Sequence, residues 1–495
     1  MELSDVRTVA VIGAGVSGLS VAKALHAHGL DCTVFEQHER LGGVWADGYC
    51  NFGVQLRKPY YEFPDWPLPH GTENFTPGPV VQSYLEDYAR HFDIWNRIRF
   101  DTTVVDMEQG ADGKWSVTSE IAGQRRMEAF DLVVAAIGLF SDRPHLLHFK
   151  GEETFAGEIM PVCKFQSREQ LRGKKVAVVG FGKSATDAAL ESAAVADETS
   201  IIFRRTSWPV PQFLAGILPQ EWIMLSRFTC SLLPLYYRPS VLGRIVYYPL
   251  RPITWIYWRL VELLLYVQCR LGSRFGTRTS LVPDMRIEVG TFDGTIMAPR
   301  RVFYRLLRNG EITPHRTEIA EPDGNTVRLA NGEELEADVI LLGTGWEIDY
   351  SFLPQAVVDA IGADDDGFYL YRCMLHPDAP GLVFIGAVST FSNILTCNLQ
   401  ARWLVELIAG RHQLPSHEAM RDDIRTMKAW KRGFMPPGPE RAGRLNLHML
   451  RYHDDLMRDM GERRYRKTGF FKPIRELFDP YRARDYADVI SSKSS

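Results

Sequence analysis

Two glycine-rich turns, each set between an apolar run and a helical pattern, constrain this chain more than any other feature. The first is Gly13-x-Gly15-x-x-Gly18, after Val9, Ala10, Val11 and Ile12. The second is Gly180-x-Gly182-x-x-Ala185, after Val176, Ala177, Val178 and Val179. In such a turn the glycines have separate duties. Gly13 permits the tight turn, Gly15 lets backbone approach a pyrophosphate, and Gly18 lets the helix pack on the strand. The following helix presents its free amides and positive dipole end to the phosphates. Two such units in 495 residues predict two dinucleotides on one polypeptide, and electron or hydride transfer between them.

At the first unit, the strand Cys32, Thr33, Val34, Phe35 ends in Glu36. A carboxylate there accepts from a ribose diol and repels a 2′-phosphate, so the unit suits FAD or NAD. Gly42 and Gly43, followed by Val44 and Trp45, give a second close backbone approach and point to FAD. At the second unit Ala185 replaces the third glycine, a change the turn tolerates, and Lys183 and Ser184 occupy the turn. The strand after it, Ser200 to Phe203, ends in Arg204 and Arg205 instead of an acid. Two guanidinium groups pair with a 2′-phosphate, which predicts NADPH over NADH.

Composition excludes other classes. A net charge of −4 offers no basic excess for nucleic acid. The seven cysteines (Cys32, Cys50, Cys163, Cys230, Cys269, Cys373 and Cys397) form no C-x-x-C pair. A disulfide scaffold, a zinc site and a dithiol redox centre are therefore unsupported. No uncharged apolar run reaches the ~18 residues of a spanning helix. The nearest, Leu242 to Leu271, is broken by Arg251, Arg259, Glu262 and Arg270. The first strand opens near residue 8, which leaves no room for a signal peptide, so the expected compartment is the cytoplasm.

Four further stretches carry a family resemblance. They are Phe155-x-Gly157-x-x-x-Pro161-x-x-x-Phe165; Asp338 to Trp346, with Gly343, Thr344 and Gly345; Leu382 to Gly386; and Gln400-Ala401-Arg402-Trp403. With the two turns, they make residues from about 8 to 410 resemble the flavin-containing monooxygenases, class B flavoprotein oxygenases, in their N- and S-oxygenating plant and bacterial branch. The family linker has a histidine where this chain has Pro161. The resemblance implies an α/β fold of two Rossmann-like dinucleotide-binding domains, the NADPH domain inserted into the FAD domain. The expected boundaries are 1–165 and 336–413 for FAD, 166–335 for NADPH, and 414–495 for a helical tail. Strands are expected at 339–343 and 382–386 to complete the first sheet.

The resemblance also implies the cofactors FAD and NADPH, and a cycle with O2 through a flavin hydroperoxide that oxygenates a soft nitrogen or sulfur of a small, lipophilic molecule. It places Gln55, counted back from Phe63-Pro64-Asp65-Trp66-Pro67, where the family asparagine lies near the flavin. Gly345, Trp346 and Gly386 become candidate cofactor contacts, with Lys58 and Asn393 as weaker ones. Alternatives are a Baeyer–Villiger oxygenase and, because proline cannot replace the histidine's chemistry, an uncoupled NADPH oxidase.

Residues 209–290 form a long apolar and aromatic insertion, a helical lid, a peripheral membrane contact or a homodimer contact. The charged tail, with Asp454, Asp455, Asp459, Arg458, Arg463, Arg464 and Arg466, reads as a solvated helical face. Its last residues, Ser491 to Ser495, read as frayed.

Overall fold

The computed structural model describes residues 5–140, 143–239, 241–272, 281–292, 302–362 and 364–491. Ser492 to Ser495 and parts of the insertion lie outside the described residues.

Continuous apolar runs form the centres of two parallel sheets, as expected of strands covered on both faces. In the first, Thr8–Ile12 pairs with Asp31–Phe35 on one side and Leu132–Ala135 on the other. Leu382–Phe384 closes one edge and Ile98–Arg99 the other. A three-stranded antiparallel meander, Thr103–Gln109, Trp115–Ile121 and Gln124–Phe130, leaves this sheet and returns to it. The helix Val16–Ala27 follows the first turn, and the nearly fully buried helix Asn393–Ile408 packs against it.

The second sheet has the order Thr313–His315, Glu198–Ile202, Lys175–Val179, Val339–Leu342, Glu158–Pro161. This corrects one expectation. The strand at 339–342 does not complete the first sheet but pairs with Lys175–Val179, Val176 opposite Val339. Just before it, the Asp338 carboxylate accepts from the Lys175 amide at 2.8 Å, which fixes the pairing at its start. Glu158–Pro161, expected within the first domain, forms the edge of the same sheet. A proline ending an edge strand removes no ladder bond from the interior.

The tail corrects a second expectation. Helix Met449–Asp459 buries Met449, Leu450, Tyr452, Leu456 and Met457, and its Asp454 and Asp455 are buried as well. Asp454 accepts both ends of the Arg227 guanidinium, at 2.7 and 2.8 Å, and Asp459 accepts from Arg372 at 2.6 Å. The tail therefore clamps the insertion to the core, and of its named charges Arg458, Arg463 and Arg464 remain exposed.

Two histidines in this helical layer make the fold acid-sensitive. His448 is enclosed by Phe292, Trp430 and Tyr236, with ring centroids 5.1, 5.3 and 5.4 Å away. Burial pushes its imidazole down to about 3, and Arg451 and Lys431 act in the same direction. Burial likewise lowers His453, which contacts the Thr396 hydroxyl, to about 3. Below the ordinary imidazole value of about 6.5, the unfolded chain binds protons that the folded rings refuse. Stability is then lost as pH falls from about 6.5 towards 3, by about 1.4 kcal/mol per pH unit for each ring. Denaturant midpoints between pH 7 and 5 should show this slope, and His448→Phe should roughly halve it. An unchanged slope would remove His448 from the account.

Candidate functional site

Both glycine turns open on one cavity of about 1590 Å³. It is lined from the first unit by Gly13, Gly15, Glu36, Gly42, Gly43 and Trp45, and from the second by Gly180, Gly182, Lys183, Ser184, Arg204 and Arg205. Gln55, Gly345, Trp346 and Gly386 also line it. All of the expected site residues are thus gathered in one place except Gly18, which packs behind the turn.

The first turn is a cradle of bare backbone. Gly13 has φ +100°, and its amide donates to the Phe35 carbonyl at 2.8 Å. A Cβ on Gly15 would lie 3.7 Å from the Gly43 Cα, and the Gly42 amide donates to the Ala14 carbonyl at 3.0 Å. The two glycine pairs therefore face each other across a slot that side chains would fill. Such a slot fits a pyrophosphate at a helix N-terminus. Glu36 is buried at its rim, where one carboxylate oxygen accepts the Ala14 amide at 2.7 Å and the other the His38 amide at 3.1 Å. That anchoring holds the acid in place for a ribose diol.

The last strand returns onto this turn. A Cβ on Gly386 would strike the Ser17 hydroxyl at 2.0 Å, and the Gly386 amide donates to Gln400 Oε1 at 2.9 Å. Gln400 in turn donates to the Tyr452 hydroxyl at 2.7 Å. Ser17 and Cys397 line the cavity beside it, residues that the motifs did not single out. Burial pushes the Cys397 thiol up to about 11 despite the Ser17 contact, so it is a neutral wall and not a thiolate.

At the second turn, a Cβ on Gly182 would meet nothing within 4 Å, so this backbone faces open cavity. Arg204 and Arg205 are exposed at the strand end, where Arg204 makes a long ion pair, 3.9 Å, with Glu318. Lys183 is held by Asp187 one helical turn on, and Tyr49 from the first unit donates to the same carboxylate at 3.0 Å. Asn51 reaches Glu191 at 2.7 Å on the same helix face. Sequence reasoning missed this latch; its signal is the buried acid pair at i and i+4. Asp187→Ala removes the carboxylate that accepts from both the Lys183 ammonium and the Tyr49 hydroxyl. It should destabilise the fold by about 2–4 kcal/mol in denaturant titrations.

The weaker candidates separate. Lys58 donates to the Thr72 carbonyl at 3.1 Å and is not a cavity residue, whereas Asn393 lines the cavity and accepts from the Thr390 amide at 2.8 Å. Gln55 lines the cavity, and its backbone carbonyl accepts from Gln220 of the insertion at 2.9 Å. Trp346 lines the cavity from a short antiparallel pair, opposite Pro144. Pro161 is not among the lining residues.

Two nucleotide cradles sharing one chamber define a flavoprotein oxidoreductase of the two-dinucleotide type. Residues 6–242 and 308–464 match the family model "Flavin-binding monooxygenase-like". A "Probable flavin-containing monooxygenase 1" of Arabidopsis thaliana is 30% identical, covering 97% of this chain and 96% of the relative. The "Dimethylaniline monooxygenase [N-oxide-forming] 2" of Mus musculus is 26% identical over 97% of this chain and 88% of its own. In fold, the chain is similar to the S-allyl-L-cysteine S-oxygenase of Allium sativum (TM-score 0.64, 20% identity, 98% of this chain and 92% of that one). It is also similar to a steroid monooxygenase bound to NADP (TM-score 0.68, 19% identity, 92% and 97%). The chain belongs to the flavin-binding monooxygenase family. It is an enzyme that uses FAD and NADPH with O2 on a small molecule.

Proposed function

We propose that this enzyme oxygenates a nitrogen or sulfur atom of a small, lipophilic molecule, with FAD on the first turn and NADPH on the second. The observation that carries this reading is the shared chamber, which opens both glycine cradles onto one space. When bound, FAD and NADPH supply hydride transfer and oxygen activation. The chain supplies position and enclosure. Gly15, Gly42 and Gly43 receive the FAD pyrophosphate and Glu36 its ribose, and Arg204 and Arg205 bind the 2′-phosphate of NADPH. Gln55 offers an amide donor and acceptor towards the reacting centre. The insertion, tied to this wall by Gln220 on Gln55 and by Glu221 on Arg57 at 3.1 Å, keeps water out. The NADPH unit takes in Val339–Leu342, whose pairing with Val176–Val179 supports this.

Oxygen transfer to an N- or S-centre needs no side-chain nucleophile, which agrees with the neutral Cys397. A competition assay with a tertiary amine, a thioether and a cyclic ketone tests the reading. N-oxide or sulfoxide should dominate; lactone from the ketone with no heteroatom product would overturn it in favour of Baeyer–Villiger chemistry. Pro161 favours a second reading, uncoupled NADPH oxidation, because its side chain can neither donate, accept nor titrate. Hydrogen peroxide released per NADPH consumed, with substrate present, decides between them. Of the two candidate partners, a membrane surface against residues 209–290 and a second copy of the chain, the exposed face of the insertion favours the first.

A further inference from the structure

The long insertion helix Val241–Cys269 has two apolar stripes. Trp258, Val261, Leu265 and Cys269 recur at helical spacing and are buried. Ile253, Ile256, Leu260, Leu263 and Val267 recur at the same period and are exposed, Leu260 by 60%. Tyr248, Trp255 and Tyr266 are exposed with them. The helix has exposed arginines at 244 and 251, exposed Arg270 follows its end, and its one acid, Glu262, is occupied by Arg259 at 2.8 Å and by the Ile287 amide.

A second element continues this surface, from the tail to which the sequence assigned no duty. Phe470 is 94% exposed, followed by exposed Phe471 and by Ile474 on the short helix Lys472–Phe478. Phe478 lies 5.1 Å from Phe228, which lies 5.9 Å from Tyr257 of the long helix, so the two apolar surfaces join across one ring. The charges repeat the pattern. Arg463, Arg464 and Lys472 are exposed and outnumber the exposed Glu462 beside them, Glu476 is buried on Arg227, and Asp479 is taken by Arg475 at 2.9 Å.

We infer that the long insertion helix and the 470–478 segment together form one docking face for an anionic lipid bilayer. This deepens the membrane-contact reading by naming the lipid charge and the second element. Exposed aromatic and aliphatic side chains flanked by an excess of arginine, with Glu262, Glu476 and Asp479 paired, suit the interface between lipid headgroups and chains. Among the described residues no helix is long and apolar enough to cross a membrane, so contact is in the plane of the surface. A symmetric pairing of two copies would set the same unbalanced arginines against one another.

The test is co-sedimentation of the full-length, FAD-loaded protein with vesicles of phosphatidylcholine alone or mixed with phosphatidylserine. Binding should be about tenfold stronger to the mixed vesicles and should weaken with salt. The double variants Phe470→Ser/Phe471→Ser and Ile256→Ser/Leu260→Ser should each lower it about tenfold. These side chains are exposed, so both variants should retain FAD and oxygenate a water-soluble amine at the parent rate without lipid. That readout separates failure of the docking face from failure of the oxygenase reading. Equal binding to the two vesicle types would overturn the inference, as would the absence of binding. So would a dimer that binds no vesicles and dissociates when Ile256 and Leu260 are changed.

Discussion

Gly18→Ala is expected to yield protein that emerges without its flavin. A Cβ at this position would lie 1.9 Å from the Gly13 carbonyl oxygen, a backbone atom of the turn that shapes the pyrophosphate slot. Neither partner can rotate away, so the helix Val16–Ala27 must lift or the turn must open. Overpacking of this kind costs about 1–3 kcal/mol. The cost falls on the geometry that receives FAD, which corresponds to roughly a 10- to 100-fold loss of affinity. Flavin content after gel filtration and titration with added FAD measure the effect. Gly182→Ala is the contrast, because its Cβ would meet nothing within 4 Å. That variant should keep both fold and flavin, and weaken NADPH by intruding on the space the nucleotide needs. If Gly18→Ala retains full flavin, the first turn is not the flavin cradle.

The double variant Arg204→Ala/Arg205→Ala should raise the KM for NADPH by about 10- to 100-fold and move that for NADH by about twofold or less. The asymmetry arises because a 2′-phosphate is the sole difference between the two reductants. Both arginines are exposed at the end of the strand Glu198–Ile202, and the long ion pair to Glu318 competes little. Salt should therefore reduce the preference of the parent enzyme for NADPH and barely affect the variant. Equal losses for both reductants would mean that the arginines hold the turn and do not read the phosphate.

The cradles were legible because their chemistry is local. The order of Gly13, Gly15 and Gly18, the acid at Glu36 and the arginines after the second unit each sit within a short stretch, and each states its own geometry. The strand Val339–Leu342 was not legible in this way. Buried along its whole length, it has no polar face to name its neighbour, and its place is set by Asp338 meeting Lys175, 163 residues away in sequence. The tail failed for a related reason. Asp454 in a charged helix reads as solvated until Arg227 is brought to it by the fold. The same holds for the latch of Tyr49 and Asn51 onto Asp187 and Glu191, whose partners lie 138 and 140 residues apart in sequence. Local rules located the two glycine turns, and long-range pairing decided how the insertion and tail pack around them.

The most direct test of two cofactors meeting in one chamber is an anaerobic titration of the purified yellow protein with NADPH, followed by admission of O2 and a tertiary amine. Bleaching of the flavin absorbance by a stoichiometric amount of NADPH, then its return with one N-oxide formed per NADPH, is the expected result. A flavin that stays oxidised under NADPH, or a protein that binds no flavin, would contradict the account.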